Sequence, residues 1–390
     1  MKYDFDKQIE RRGTDSVKFD LLTPLFGRED VIPMWVADMD FEVPDFIRDA
    51  LAERLQHPIY GYTYRPARFY EIVAAWMERR HGWKLDPGAI NFSPGIVPAL
   101  NFSVMGYTKP GDKILIQPPV YFPFLSAVEN HGRKLVYNQL IDEDGVYTMD
   151  FDDLEKKFSE GIELMLFCHP HNPVGRAWNK GELVQLANLC VKYNVKVISD
   201  EIHSDLILFD HKHIPLASLG EEISDLCITC VAPSKTFNLA GMHSSAVIIE
   251  NAKLKAVYDK VLEDVHVGSG NLFGMVAMEA AYLKGDEWLE QLLRYLEGNF
   301  IYLQEFVKSH ISQVGVSSLE ATYLTWLGFK KLGMKEKELT AFMINEARLG
   351  LVEGAKFGPG GEYYQRINIA TPRKNLGKAL QQLSQAINRM

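Results

Sequence analysis

Short apolar runs rich in valine and isoleucine recur through the middle of the chain. They cover residues 114–117, 164–168, 195–199, 227–231 and 246–249. Between Leu164 and Val231 they recur roughly every thirty residues, which is the length of a βαβ unit. Because nearly every position in these runs is apolar, they are typical of strands that helices cover on both faces. The pattern predicts an α/β fold with a doubly wound, mostly parallel sheet at its centre.

One connection between two of these runs has the pattern of a capped helix. Asn179 is followed three residues later by Glu182, the arrangement of a capping box. Behind the cap, Leu183, Leu186 and Cys190 repeat at helical spacing. A helix therefore connects the strand at 164–168 to the strand at 195–199, as a βαβ unit requires.

The two ends of the chain have a different pattern. Residues 1–40 are predicted to be irregular, and residues 286–310 form a long amphipathic helix. Beyond that helix, we predict strands of a smaller sheet and a closing helix, at 316–319, 323–329, 365–370 and 375–389. The expected organisation is an N-terminal segment (1–40), a large domain (41–287) and a small α+β C-terminal domain (288–390) that packs with the N-terminal segment.

Composition excludes several classes of protein. Of the 390 residues, 47% are hydrophobic and 24% are charged, which excludes wholesale disorder and a collagen-like fibre. The formal net charge of −9 argues against a nucleic-acid partner. No run approaches the ~18 apolar residues of a membrane-spanning helix, so no membrane partner is expected. The charged first residues carry no apolar leader, which predicts a cytoplasmic protein.

Residues with metal-ligand chemistry do not predict a metal site. Cys227 and Cys230 have the spacing of half a zinc ribbon, but they lie in an apolar run and no second such pair exists. We expect buried thiols in a reducing compartment. His211 and His213 have no third ligand in sight, and a hydrophilic surface loop is the better interpretation.

Polar residues follow the predicted strands at the points where open α/β sheets bind ligands. Residues 95–97 follow the strand 90–93 at a predicted helix start. Their backbone N–H groups could hold an anion such as a phosphate, or form a plain strand-to-helix turn. Asn172 follows the strand 164–168 in a proline-rich loop, where it could donate to a ring oxygen or act as an ordinary turn residue.

Three charged residues near strands also have two interpretations each. Asp200 would meet a cation such as a protonated ring nitrogen, or it would cap a helix. Lys235 would keep its ammonium group in water, or its amine would be partly desolvated and ready to form a Schiff base. Arg366 would be a surface ladder residue or a clamp for a substrate carboxylate.

A nicotinamide-dependent dehydrogenase is the obvious rival for a doubly wound sheet. It is excluded because no G-x-G-x-x-G motif follows the first predicted strand. The glycines at 268, 270 and 274 are spaced one residue too far apart and open a helix late in the chain.

In the order of these residues, the chain resembles the fold-type I enzymes that use pyridoxal 5′-phosphate (PLP), which form the aspartate-aminotransferase superfamily. Within it, the chain resembles the MalY/PatB class of carbon–sulfur lyases, the cystathionine β-lyase and cystalysin group. The resemblance covers essentially the whole chain. Its motifs are PMWVADMDF at 33–41, YGY at 60–62, HNPVGR at 171–176, SDEIH at 199–203 and PSKTFN at 233–238. It implies a large domain with a seven-stranded sheet and a smaller domain.

The resemblance also implies how PLP would be held. Lys235 would carry it as a Schiff base, and Asp200 would pair with the pyridinium nitrogen. Asn172 would donate to the 3′-oxygen of the ring, with His203 near that oxygen. Tyr121 would stack on the ring and help to move protons.

At the phosphate, the resemblance implies four residues of the same subunit, Gly95, Ile96, Val97 and Ser234. Tyr62 would reach it from a neighbouring subunit, so the active unit would be a homodimer with shared sites. His243 stands where many members of the superfamily have a phosphate-binding arginine. More of the phosphate charge is thereby left to the helix N-terminus and the hydroxyls.

The implied activity is α,β-elimination of L-cystathionine or a related L-cysteine S-conjugate to pyruvate, ammonia and a thiol. Arg366 would clamp the α-carboxylate of this small amino-acid substrate, with the backbone of Val36 and Ala37 nearby. Lys235 would take the Cα proton as general base. The alternatives are a class I/II aminotransferase of broad specificity, which shares the early steps, and a regulatory protein on the same fold. His203, where aminotransferases usually have a tyrosine, favours the lyase.

Overall fold

The computed structural model describes residues 2–390. The strands are, in chain order, Ile32–Pro33 (β1), Ile90–Ser93 (β2), Lys113–Ile116 (β3), Lys134–Tyr137 (β4), Ile141–Glu143 (β5), Val146–Thr148 (β6), Leu164–Cys168 (β7), Lys196–Asp200 (β8), Cys227–Val231 (β9), Ser245–Ile248 (β10), Gly315–Val316 (β11), Leu324–Gly328 (β12), Leu349–Gly350 (β13), Val352–Glu353 (β14) and Tyr364–Asn368 (β15). The α-helices are Val17–Asp20 (α1), Leu22–Phe26 (α2), Asp45–Leu55 (α3), Ala67–His81 (α4), Ile96–Tyr107 (α5), Pro123–Glu129 (α6), Phe151–Ser159 (α7), Lys180–Tyr193 (α8), Glu221–Ser224 (α9), Pro233–Thr236 (α10), Ala252–Asp264 (α11), Leu272–Lys284 (α12), Asp286–His310 (α13), Glu336–Asn345 (α14) and Arg373–Ile387 (α15).

The central element is a seven-stranded sheet with the order β2-β10-β9-β8-β7-β3-β4. Strand β10 runs antiparallel to both of its neighbours, and the other pairs are parallel. The mostly parallel sheet predicted from the sequence is therefore confirmed. In a sheet of this kind, the carboxyl ends of the parallel strands lie along one edge, where ligands bind.

Both faces of this sheet are covered by helices. Along β7, the side chains of Leu164 and Leu166 join one apolar cluster, and those of Met165 and Phe167 join another. The first cluster contains residues of α5, α6 and α11, and the second contains residues of α4, α8 and α12. Alternate side chains of a strand point to opposite faces. Continuous apolar runs are needed because each face has its own layer of helices.

The connecting helix α8 begins at the predicted capping box. The side chain of Asn179 accepts hydrogen bonds from the backbone of Gly181 and Glu182, and the side chain of Glu182 accepts one from the backbone of Asn179. The cap sets the start of α8 and hence the direction in which the chain returns to β8.

A second sheet, with the order β11-β12-β15-β14, is antiparallel throughout. Strand β1 of the N-terminal region pairs in parallel with β13, and Ile32 lies opposite Leu349. The N-terminal region is thus hydrogen-bonded to the C-terminal part of the chain. The domain division at residue 288 stays a prediction.

Two expectations for the ends of the chain are wrong. The strand predicted at 316–319 ends at Val316, because the backbone of Ser318 turns away to donate to Gly145. Residues 1–40 are not wholly irregular, since they contain α1, α2 and β1. Helices of four or five residues carry too little periodicity to be read from a sequence. No helix in residues 2–390 is long and apolar enough to cross a membrane.

Candidate active site

Three parallel strands bring the predicted site residues to one edge of the large sheet. Asp200 is the last residue of β8, Asn172 lies four residues after β7, and Lys235 lies four residues after β9. Strands β7, β8 and β9 are direct neighbours. The sequence prediction that these side chains share one site rests on this order of strands.

Two adjoining cavities lie at this edge. The first, of about 260 Å³, is lined by Asp200 and is called the Asp200 cavity. The second, of about 330 Å³, is lined by Arg366 and is called the Arg366 cavity. Ala37, Tyr121 and Lys235 line both cavities. Lys235 therefore lies at the boundary between the two cavities, within reach of molecules bound in either one.

Asp200 is a buried carboxylate with few compensating contacts. It is 5% exposed, and its Oδ1 accepts one hydrogen bond, from the backbone of Ile202 at 3.1 Å. Burial raises its pKa to about 7, and the nearby charge of Lys235 only partly opposes this shift. A carboxylate in this setting is stabilised by a cationic partner within the cavity.

The amine of Lys235 is held by the segment that precedes α3. Its Nζ donates to the backbone oxygen of Ala37 at 2.7 Å. Burial and the positive charge of Arg366 lower its pKa to about 8, while Asp38 and Asp200 oppose the shift. A lysine with this pKa is partly neutral near neutral pH, and a neutral amine can act as a nucleophile or accept a proton.

Arg366 is a buried cation with no acidic partner among residues 2–390. It is 3% exposed, and it donates to Asn172 Oδ1 at 3.0 Å and to the backbone oxygen of Trp35 at 3.1 Å. Within the described residues its Nε has no partner, and burial lowers its pKa to about 10. Since both neighbours are neutral acceptors, the guanidinium keeps its full charge available for a carboxylate.

The N-terminus of α5 opens onto the Asp200 cavity. Gly95 precedes this twelve-residue helix, and its first turn has no acidic residue and no side-chain cap. The first N–H groups of a helix have no partner within it, and the helix dipole favours an anion there. Ser234 and Ser244 line the same cavity, as does His243. The described residues thus offer hydroxyls and backbone donors, with no arginine on the lining.

Two further predicted residues lie in the cavities and one does not. Tyr121 lines both cavities, and burial raises the pKa of its hydroxyl. His203 is buried in the Asp200 cavity, where burial holds its pKa well below the usual value. Its Nδ1 has no partner in the part of the chain that the structure describes. Tyr62 is fully exposed on a surface segment and lines neither cavity.

The Arg366 cavity has mostly apolar walls. They come from the N-terminal helices, from the loop before α6 and from α14, and include Leu25, Phe26, Trp35, Phe122 and Met343. The charged residues on its lining besides Arg366 and Lys235 are Glu353 and Lys356, which pair with each other at 3.3 Å. A molecule whose carboxylate meets Arg366 would extend its other end along these walls.

Sequence reasoning missed several residues that shape the site. Tyr323 donates to the same Ala37 oxygen as Lys235, at 3.0 Å. Asn368 donates to the backbone oxygens of Val36 and Asp38, which fixes the segment around Ala37. The available signal was position, since Tyr323 begins one predicted strand and Asn368 lies within another. Nothing in the sequence indicated that they contact the N-terminal segment.

The surface loop predicted around His211 and His213 is only half correct. His211 is exposed, but His213 is buried and its Nε2 lies 2.8 Å from Glu201 Oε2. The prediction failed because the polar sequence of this loop does not show that a buried carboxylate needs a partner there. Within residues 2–390 no group of side chains is arranged to hold a metal ion. The four cysteines are free, buried thiols, as predicted.

The chemistry of the Asp200 cavity fits PLP. A protonated ring nitrogen would supply the cation that Asp200 lacks, and a phosphate would supply the anion that the N-terminus of α5 favours. His203, whose Nδ1 has no hydrogen-bond partner among residues 2–390, also lines this cavity. An amine of lowered pKa, at Lys235, lies on the same lining.

Comparison with known proteins agrees with the resemblance read from the motifs. The chain is 44% identical over 385 residues to the cystathionine β-lyase PatB of Bacillus subtilis, which covers 98% of this chain and 100% of that protein. Cystalysin from Treponema denticola, whose structure contains PLP, has a TM-score of 0.97 and 36% identity over the whole of both chains. A PLP-bound C–S lyase from Staphylococcus hominis has a TM-score of 0.91 and 36% identity over 99% of this chain and 98% of that one. A model of the aminotransferase class I and II family matches residues 29–383, and the chain belongs to this family.

Proposed function

We propose that this protein is a PLP-dependent carbon–sulfur β-lyase. It cleaves L-cystathionine or a related L-cysteine S-conjugate to pyruvate, ammonia and a thiol. The observation that carries the proposal is the position of Lys235 between two cavities, one suited to PLP and one with an unpaired arginine for an amino-acid carboxylate. The similarity to PatB and to two C–S lyase structures supports the same reaction.

PLP would be held by residues of the Asp200 cavity. Asp200 would pair with the ring nitrogen, and Asn172 and His203 would face the 3′-oxygen. Tyr121 would lie against the ring. Gly95, Ile96, Val97 and Ser234 would hold the phosphate. When bound, PLP withdraws electron density from Cα and so acidifies the Cα proton.

Lys235 is the base that this arrangement provides. Its lowered pKa, about 8, leaves a useful fraction of neutral amine at neutral pH. Ala37 and Tyr323 keep the amine close to the boundary between the cavities through the shared backbone oxygen. From there the amine removes the Cα proton of a substrate whose carboxylate is bound to Arg366.

The Arg366 cavity receives the sulfur substituent. With the α-carboxylate on Arg366 and the reacting carbon beside Lys235, the side chain of the substrate extends along Leu25 and Met343. Loss of a good leaving group at Cβ is the step that separates this reaction from transamination, because the two share the preceding proton removal.

We propose that the active unit is a homodimer in which Tyr62 reaches the phosphate site of the partner. The segment 59–64 exposes Ile59, Tyr60, Tyr62 and Tyr64, an apolar and aromatic surface typical of interfaces. Of its tyrosines, Tyr60 is engaged within the chain, since its hydroxyl donates to Leu55. A cytoplasmic location is also proposed, supported by the four free thiols.

The test is pyruvate release from L-cystathionine by PLP-loaded protein without any keto acid. Sustained turnover with a free thiol appearing in step with pyruvate is the expected result. Conversion of one equivalent of PLP to its amine form, without pyruvate, would instead establish an aminotransferase. If neither pyruvate nor the amine form of PLP appears, with cystathionine or with S-alkyl cysteines, the protein would be interpreted as a non-enzymatic regulator.

A further inference from the structure

A buried set of hydrogen bonds adjoins the turn that carries Lys235. Its centre is the carboxylate of Asp205, which is 5% exposed. This carboxylate accepts from Thr236 Oγ1 at 2.9 Å, from Trp76 Nε1 at 3.1 Å and from His81 Nε2 at 3.1 Å. Burial opposes its ionisation, but the hydrogen bonds from His81 and Thr236 hold its pKa below the usual value. Asp205 is thus a buried anion with three donors.

Thr236 is the residue directly after Lys235, and both belong to α10. This helix is one turn of four residues without a side-chain cap, so its own hydrogen bonds do little to fix its orientation. The hydroxyl of Thr236 is fully buried, and Asp205 is its acceptor. The orientation of the turn that presents Lys235 is therefore set in part by Asp205.

Asp205 is in turn held by a rigid element. Trp76 and His81 lie on α4, and the indole of Trp76 stacks on Tyr282 of α12 with ring centres 4.8 Å apart. The carboxylate thus joins α4 to the lysine turn. Neither Asp205 nor Thr236 lines the Asp200 cavity or the Arg366 cavity. They act on the site through the backbone of α10.

We propose that Thr236 and Asp205 are positioning residues that orient Lys235 for its attachment to PLP and for proton removal. The inference rests on the proposed attachment of PLP at Lys235. It goes beyond that proposal because it assigns a role to a hydrogen bond outside the cofactor and substrate cavities. Attachment here is condensation of the Lys235 amine with the aldehyde of PLP, which releases one water.

The experiment compares Thr236→Val, which removes the hydroxyl at nearly constant volume, with Thr236→Ser, which keeps it. Trp76→Phe is the matched control, because it removes a different donor to the same carboxylate and keeps the hydrogen bond from Thr236 to Asp205. Each protein is freed of PLP and recharged with it, and the visible absorbance of PLP bound to lysine gives the rate of attachment. The kcat and KM for cystathionine and the melting temperature are measured in parallel.

We expect Thr236→Val to slow attachment of PLP and to lower kcat, each by about tenfold, because a small misplacement of a reacting group is costly. The KM should stay unchanged, since Arg366 is not affected. Thr236→Ser should restore both rates, and Trp76→Phe should lower the melting temperature with wild-type rates. Thr236→Ala removes the same hydroxyl and replaces the valine variant if that variant does not fold.

Two results would overturn the inference. One is wild-type attachment and kcat in a folded variant that lacks the hydroxyl. The other is an equal loss of rate in Thr236→Val and Trp76→Phe that follows the loss of stability. Failure of the wild-type protein to attach PLP would contradict the proposed function itself. This measurement needs no variant, so the two failures are distinguishable.

Discussion

The guanidinium of Arg366 donates to the side-chain oxygen of Asn172 at 3.0 Å, across 194 residues of sequence. This bond joins the antiparallel sheet to the loop after β7 of the large sheet. It also orients the Asn172 amide, since its oxygen is engaged and its nitrogen is left to donate elsewhere. The two residues proposed to recognise substrate and cofactor are therefore oriented by each other.

Replacing Arg366 by lysine should raise the KM for cystathionine and lower kcat/KM by about 30- to 100-fold. Lysine keeps the charge but loses the planar pair of donors and the bond to Asn172. Steady-state kinetics at saturating PLP measure the effect, so that a change in cofactor affinity through Asn172 does not contribute to it. An unchanged KM would show that the substrate carboxylate binds elsewhere.

Replacing Lys235 by alanine should abolish covalent attachment of PLP and reduce pyruvate release at least ~10³-fold, because the base is lost. Lys356→Ala is the matched control, since Lys356 also lines the Arg366 cavity but pairs with Glu353. The control should keep the absorbance of bound PLP. Substantial turnover by the Lys235 variant would assign proton removal to another group.

Replacing Asp200 by asparagine should stabilise the PLP-free protein at alkaline pH. In the fold the pKa of Asp200 is about 7, against ~3.9 in an unfolded chain. The folded state therefore binds the proton more tightly, and the carboxylate costs stability as pH rises from about 4 to about 7, by up to ~4 kcal/mol. Asparagine does not ionise and avoids this cost.

Thermal unfolding of the two PLP-free proteins at pH 4 and pH 8 checks this prediction. The asparagine variant should gain melting temperature relative to wild type at pH 8, and the gain should disappear at pH 4. With PLP bound the order should reverse, because the variant loses the partner of the ring nitrogen. A difference that does not vary with pH would mean that the carboxylate is not the titrating group.

Shortening an apolar side chain in the wall of the Arg366 cavity should lower kcat/KM for substrates with large substituents on sulfur. Leu25→Ser removes apolar contact worth about 1 kcal/mol. This loss should lower kcat/KM for S-benzyl-L-cysteine roughly fivefold. L-Cysteine, which has no substituent on sulfur, should be unaffected. Leu21→Ser is the control, because Leu21 is exposed nearby and does not line the cavity. Equal losses for both substrates would place the substituent elsewhere.

The sequence predicted the parts of this molecule that depend on local pattern. The strands Leu164–Cys168 and Cys227–Val231 are found at their predicted bounds, because each is buried on both faces and must be apolar throughout. Asp200, Asn172 and Lys235 could be predicted to lie at one edge of the sheet, because each stands at or just after the end of one of three adjacent parallel strands. The motifs then supplied the family and the cofactor.

The parts that depend on long-range contacts could not be predicted. The bond from Lys235 to Ala37 spans 198 residues, and the bond from Thr236 to Asp205 depends on how α10 meets the loop after β8. His213 was misread for the same reason, since its partner Glu201 is buried and lies twelve residues away. A local window shows the polarity of a side chain but not the partner that allows its burial.

The backbone carbonyl groups of residues 35–41 connect the N-terminal region to the candidate active site. Trp35 and Val36 accept from the C-terminal strand β15, while Ala37 and Met39 accept from the lysine turn and Asn238. A chain without its first forty residues would keep every strand of the large sheet and still lose the oxygen that accepts the hydrogen bond from Lys235.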